Sequence, residues 1–254
     1  MMLQMLLLTV APALASEAPT TLVQNAAAPA APAPVKVEPK WTGSVALGAT
    51  YADGNTKRKS VSTTADAERR TEKDRITLGF FWNYAEEEGV ITSRKTQGRA
   101  KYDYFFSKKM FGLAQASAEN DYQASLDMRT TIGVGLGYQF EDTPTWKLSG
   151  EAGLSYVDND YVGTTDDSSY LAARGAYTWN WTPNDKYELG QTGEIFPSLE
   201  SSSDISARLD TKGRMNLTDK MFAQLQWLYQ WDNTPAAGKV RSDNLVVFGL
   251  GWSF

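Results

Sequence analysis

The last eleven residues, Asn244-Leu245-Val246-Val247-Phe248-Gly249-Leu250-Gly251-Trp252-Ser253-Phe254, alternate in side-chain character. Successive side chains of an extended strand point to opposite faces. Val246, Phe248, Leu250, Trp252 and Phe254 therefore share one face. The other carries Leu245, Val247, Gly249, Gly251 and Ser253, and it shrinks toward the end. Two structures satisfy this pattern. One is the half-buried last strand of a soluble β-domain; the other is a membrane strand whose apolar face meets lipid.

Upstream, runs of the same texture succeed one another from Lys40 onward, separated by turn residues. About twelve are present, each near or above the roughly 9–11 residues that a tilted strand needs to cross the hydrocarbon. Residues 41–51 set Trp41, Gly43, Val45, Leu47, Ala49 and Tyr51 on one face. Residues 58–70 oppose Val61, Thr63, Ala65 and Ala67 to Ser60, Ser62, Thr64, Asp66 and Glu68. Residues 75–85 align Ile76, Leu78, Phe80, Trp82 and Tyr84. Residues 91–106 separate Ala100, Tyr102, Tyr104 and Phe106 from Gln97, Arg99, Lys101 and Asp103. Residues 110–122 match least well, because Glu119 and Asp121 share a parity with Phe111 and Leu113. Residues 128–140, 146–157, 169–181, 186–196, 204–217, 221–231 and 244–254 complete the series.

Connections at residues 71–74, 107–109, 141–145, 182–185 and 218–220 are tight and polar. Those at 158–168, 197–203 and 232–243 are longer, and Glu86-Glu87-Glu88 reads as a solvated acidic loop. Aromatic residues gather at strand ends. Trp41, Phe106, Phe140, Trp146, Trp181, Trp252 and Phe254 mark one rim; Tyr51, Tyr84, Tyr122, Tyr156, Tyr170 and Trp231 mark the other. Periodicity alone does not tell inside from outside, so a soluble sandwich or a lipocalin-type barrel competes. Rim aromatics, alternating loop lengths and strand count favour an all-β, transmembrane, antiparallel up-and-down β-barrel of about 12 strands.

The mean hydropathy of −0.41 agrees with this, because lipid-facing and lumen-facing residues cancel along each strand. A net charge of −5 argues against a nucleic-acid partner. The chain has neither Cys nor His, which excludes thiol nucleophiles, Ser-His-Asp triads and His- or Cys-based metal sites. No catalytic residue, cofactor or metal is expected. Residues 1–15 read as a secretory signal peptide ending at Ala13-Leu14-Ala15, residues 16–39 as an Ala/Pro-rich periplasmic linker, and residues 40–254 as the barrel.

The segment Trp41-Thr-Gly-Ser-Val-Ala-Leu-Gly48, followed by Asp53-Gly-Asn-Thr56, resembles the start of the bacterial salt-induced outer-membrane protein family. Asp53 stands where that family usually has Ser. The resemblance covers residues 40–254 and implies an outer-membrane barrel linked to salt or envelope stress, with no established activity. The terminal Phe248, Leu250, Trp252 and Phe254 resemble the assembly signal of outer-membrane barrels. That implies recognition by the barrel-assembly machinery, with outer-membrane lipid and lipopolysaccharide as the surroundings.

The charges on the polar parity are Asp66, Glu68, Arg75, Arg99, Lys101, Asp103, Glu119, Asp121, Arg129, Lys147, Glu151, Arg174, Glu188, Glu194, Arg208, Asp210, Lys212 and Arg214. At mid-depth on the lipid face an Arg or Lys costs roughly 2–4 kcal/mol, so these charges are expected to face the lumen. They read either as a salt-bridge network that fills a narrow barrel or as the ladder of a small hydrophilic pore. Glu188 and Glu194 lie roughly 20 Å apart on one strand face, too far for paired acid/base work. Gly133-Val-Gly-Leu-Gly137 lacks the spacing of a nucleotide loop, and its glycines are expected to make room in a crowded lumen. The acidic stretch around Asp158, Asp160, Asp166 and Asp167 lacks the ligand spacing of a calcium loop and reads as solvated.

Overall fold

The computed structural model describes residues 40–53, 57–163 and 166–254. The expected leader, the linker and the Gly54-Asn55-Thr56 part of the first turn lie outside the described residues. Twelve strands follow one another: β1 (Trp41–Ala52), β2 (Arg58–Arg70), β3 (Asp74–Glu87), β4 (Val90–Phe105), β5 (Met110–Asp121) and β6 (Leu126–Asp142), then β7 (Trp146–Tyr161), β8 (Ser168–Asn184), β9 (Tyr187–Pro197), β10 (Ile205–Asn216), β11 (Met221–Asp232) and β12 (Ser242–Ser253). Each pairs antiparallel with its sequence neighbours, and β1 pairs with β12, so the sheet closes on itself. This is the twelve-strand up-and-down barrel that the alternation predicts. Followed once around the barrel, the registers shift by about 16 residues, which for twelve strands means a tilt of about 45° and a backbone radius of about 12 Å.

The end holding Trp41 and Phe254 is here called the near end. Its five connections are all short: residues 71–73, 106–109, 143–145, 185–186 and 217–220. At the far end, length grows along the chain after the β1–β2 connection. Residues 88–89 and 122–125 make tight turns, whereas 162–167, 198–204 and 233–241 are longer. The acidic run departs from its expected form. Glu86 and Glu87 belong to β3, and the hairpin turns on Glu88 and Gly89 alone, with φ of 51° and 81°. Two consecutive positive φ values match the twist of the flanking strands in a two-residue hairpin. Cross-strand pairing holds the carboxylates: Arg58 donates to Glu87 at 2.7 Å and the Lys57 amide donates to Glu88 at 2.6 Å. Asp158 and Asp160, likewise read as loop residues, lie within β7.

Side chains of the apolar parity stand on the outside. Leu47, Ile132, Val134, Leu136, Leu154, Leu225, Val246, Phe248 and Leu250 are all exposed. A continuous belt of this kind is incompatible with water on the outside and matches a hydrocarbon surround. Trp41, Phe106, Phe140, Trp146, Trp181, Trp252 and Phe254 are exposed around the near rim, as expected. At the far rim Tyr51, Tyr122 and Tyr156 are exposed. Tyr170 is a correction: it points inward and is buried with Val157 and Ala172 against Phe196. Its parity is that of Arg174, so alternation already assigned it inside.

The closing seam is short. Ser44–Leu47 pair with Leu250–Ser253, and Gly43 and Phe254 exchange both backbone hydrogen bonds, at 3.1 and 3.0 Å. Beyond Leu47, β1 pairs only with β2, and β12 before Leu250 pairs only with β11. Two motif glycines permit this closure. A Cβ on Gly43 would lie 2.5 Å from the Asp66 carbonyl oxygen and 2.6 Å from the Phe254 ring. A Cβ on Gly48 would collide with the Phe248 carbonyl oxygen.

Candidate functional site

A backbone radius near 12 Å leaves too wide a bore for small side chains to fill. Long polar side chains from opposite walls must meet, and they do. Seventeen of the charges expected inside line one cavity of ≈ 610 Å³. They are Asp66, Glu68, Arg75, Arg99, Lys101, Glu119, Asp121, Arg129, Lys147, Glu151, Arg174, Glu188, Glu194, Arg208, Asp210, Lys212 and Arg214. The eighteenth, Asp103, is fully buried beneath them, accepting from Arg75 at 2.7 Å and lying 3.5 Å from Lys101. Lining residues come from both ends. Thr42, Arg70 and Asp142 belong to the near end; Asp232, Lys239 and Asp243 belong to the far end.

A belt of bonds crosses the bore between β2, β4, β5 and β6 on one wall and β10 and β11 on the other. Arg99 of β4 lies 3.4 Å from Asp210 of β10, halfway around the barrel. Thr64 donates to Gln226 at 3.0 Å, and Gln226 donates to Asp210 at 2.9 Å. Lys212 reaches Asp66 at 2.7 Å. Arg129 of β6 donates to Asp232 of β11 at 2.9 Å. Glu119 is the hub, with Arg208 at 3.2 Å, Arg129 at 3.4 Å and Lys95 at 3.8 Å. Gln97 and Gln230 add hydrogen bonds of 2.8 and 3.2 Å. Along the wall from β7 to β9, Arg174 bridges Glu151 at 2.9 Å and Glu194 at 2.6 Å, and Lys101 of β4 also donates to Glu151. Glu188 and Glu194 thus take no common role.

The belt divides the cross-section unequally. On the seam side, Ser44, Ala46, Ser62, Thr64, Phe81, Asn83, Phe222, Gln224 and Leu228 are buried. The ≈ 610 Å³ cavity is lined from every strand, with most of the lining supplied by β5 to β10. Near its floor the lumen carries aromatic rings that a wholly polar interior would not have. Phe105, Phe111 and Leu113 form a buried cluster, and Phe222 is buried as well. Cations lie over these rings: Arg75 over Phe105 and Phe111, Lys101 over Phe111, and Arg214 over Phe222. Here the weak match of residues 110–122 is resolved: Phe111, Leu113, Glu119 and Asp121 all face inward, and the outward positions from Gly112 to Ala118 are glycine or alanine. Gly137 faces Phe111, whose ring occupies the space a Cβ would need.

Several functional-looking residues lay outside the expected set. Lys95 is buried, bonding Asp121 at 2.7 Å and also Gln230. Its parity with Arg99 and Lys101 was the available signal. Gln97 donates to Glu119 on the next strand, Gln226 links Thr64 to Asp210, and Gln230 of β11 bonds Lys95 and Glu119 on the opposite wall, roles that their neutral amides do not advertise. Residues 233–241 turn into the far mouth. Pro235, Ala236, Lys239 and Arg241 line the cavity there, and Ala236 is buried.

A closed antiparallel barrel, apolar outside and charged within, defines this chain as a transmembrane β-barrel. It belongs to the family described as protein of unknown function, DUF481, which it matches over residues 45–254. None of the curated proteins matches it. Among solved structures the chain is similar to the NanC porin, with 8% identity and a TM-score of 0.49 over 83% of this chain and 98% of that one. It is also similar to the KdgM porin in complex with disordered oligogalacturonate, at 12% identity and a TM-score of 0.43 over 84% and 99% of the two chains. An anion-selective porin from Comamonas acidovorans gives 10% identity and a TM-score of 0.39 over 85% and 99%.

Proposed function

We propose that this chain is a passive channel of the Gram-negative outer membrane, exported by its leader and carrying small hydrophilic solutes through a charged lumen. The observation that supports it is the ≈ 610 Å³ cavity, whose charged lining includes residues of both barrel ends. A solute entering it meets paired charges and amide groups that can replace part of its hydration. The reading is non-enzymatic: the chain lacks His and Cys, and the central carboxylates Glu119, Glu151 and Asp210 are engaged by cations. Outer-membrane lipid and lipopolysaccharide surround the apolar belt, and the assembly machinery reads the strand ending in Phe254. Planar-bilayer recording of the refolded chain tests the channel: small, ohmic conductance steps are expected, and a folded barrel that gives none removes this reading.

The belt across the bore favours a second reading, a plugged barrel that reinforces the envelope, in line with the salt-stress link implied by residues 41–56. A deletion strain separates the two. The channel reading expects altered uptake of small solutes; the reinforcing reading expects unchanged uptake with reduced tolerance of salt or detergent.

A further inference from the structure

We propose that the passage selects small anions, and that Arg99 and Lys101 set this preference. The inference rests on the channel reading and goes further by naming the solute class. By formal charge the cavity lining is close to balanced, and the whole chain carries −5, so neither count suggests anion selectivity. What a permeating ion meets, however, is the layer of charge nearest the open bore.

That layer is cationic at mid-depth. The Arg99 side chain is 30% exposed and its partner Asp210 only 6%. The Lys101 side chain is 20% exposed, while its partners Glu151 and Asp103 are 3% and 0% exposed. In both cases acid and cation line the cavity together, and the cation is the more exposed member of the pair. Lys101 also lies over the Phe111 ring, 5.7 Å from its centre, a contact that favours this position. The order reverses slightly at Arg174–Glu194, Lys95–Asp121 and Arg129–Asp232, where the acid is the more exposed member. Asp66 is the more open case. It is 34% exposed, yet it lies within 2.7 Å of Lys212 and 3.5 Å of Arg214, two cations to one carboxylate.

Distance turns this layering into selectivity. Low-dielectric walls focus the field of lining charges into the bore. At physiological salt the Debye length is about 8 Å, comparable to the lumen, so the nearest charges act before they are screened. An anion passing Arg99 and Lys101 meets more of the cation than of its less exposed acid and is attracted, whereas a cation passing the same point is repelled.

The test is reversal-potential measurement on the refolded chain in planar bilayers across a KCl gradient. The wild-type chain is expected to reverse on the chloride side of zero. Arg99→Gln together with Lys101→Gln is expected to move the reversal potential toward zero, and Asp66→Asn to move it further to the chloride side. Heat-modifiable gel mobility establishes that each variant is folded. Should the double variant not fold, Asp66→Asn decides, and an unchanged or opposite shift overturns the proposal. A conducting wild-type barrel that reverses at zero or on the potassium side also overturns it and leaves the channel reading intact. A folded barrel without conductance removes the channel reading and this inference with it.

Discussion

Lys95 shows most plainly what one side chain contributes. It sits inside the barrel within bonding distance of Asp121 and Gln230 and 3.8 Å from Glu119. Removing one member of a buried ion pair leaves its partner charged and unsolvated, at a cost of about 3–5 kcal/mol. Lys95→Met is therefore expected to lower stability by that amount, read from urea unfolding in detergent micelles. An unchanged midpoint would mean that water reaches Asp121 freely. Gly43 acts through its lack of a side chain. Gly43→Val would drive a Cβ against both the Asp66 carbonyl and the Phe254 ring, and such overpacking costs about 1–3 kcal/mol. Deleting Phe254 removes that ring and the two backbone bonds to Gly43. Both changes are expected to slow assembly, measured as the rate at which the heat-modifiable form accumulates, with deletion the more severe. Assembly at the normal rate would place the closing contact elsewhere. At this scale the sequence was a good guide to orientation and a poor one to partnership. Parity placed Arg99 inside, but nothing near it in the chain names Asp210.

Among the strands, β1 and β12 stand apart. Every other neighbouring pair is joined along most of its length, whereas their ladder covers only Ser44–Leu47 with Leu250–Ser253. If the ladder ends there, a pair of Cys residues will crosslink within it and fail beyond it. The chain contains no Cys of its own, so the experiment has no background. Val45→Cys with Trp252→Cys is expected to oxidise to a disulfide in the folded barrel. Tyr51→Cys with Val246→Cys is expected to remain reduced, and full oxidation of both pairs would show a seam closed to the far rim. The alternation of β1 and β12 is as regular as that of any strand. Their shorter pairing is therefore a matter of how the closing register falls, and it leaves no trace in local pattern. The β3–β4 hairpin is the converse case. Its Glu88-Gly89 turn is written in the chain, but three consecutive acids obscured it, because charge suggests a solvated loop more readily than a strand end.

In the whole molecule, the seam side is packed and the side from β5 to β10 supplies most of the cavity lining. The struts between these regions narrow the bore. Shortening Arg208 and Glu119 together to Ala would remove the hub that joins β5 to β10. The outcome expected is a larger single-channel conductance with a barrel that still shows heat-modifiable mobility. A barrel whose conductance is unchanged by this pair would carry its constriction elsewhere, for example at residues 233–241 in the far mouth.

Strand number, the aromatic near rim and the two alternating faces of each strand were determined by the sequence alone. Alternation has a period of two, so each strand reports its own faces without reference to any other. The meeting of Arg99 with Asp210, the pairing of Glu151 with Lys101, the aromatic floor under Arg75 and the short closing seam were decided only by the tertiary structure. These depend on contacts between side chains of strands up to halfway around the barrel. Such contacts follow from shear and radius, properties of the closed sheet that no single strand possesses.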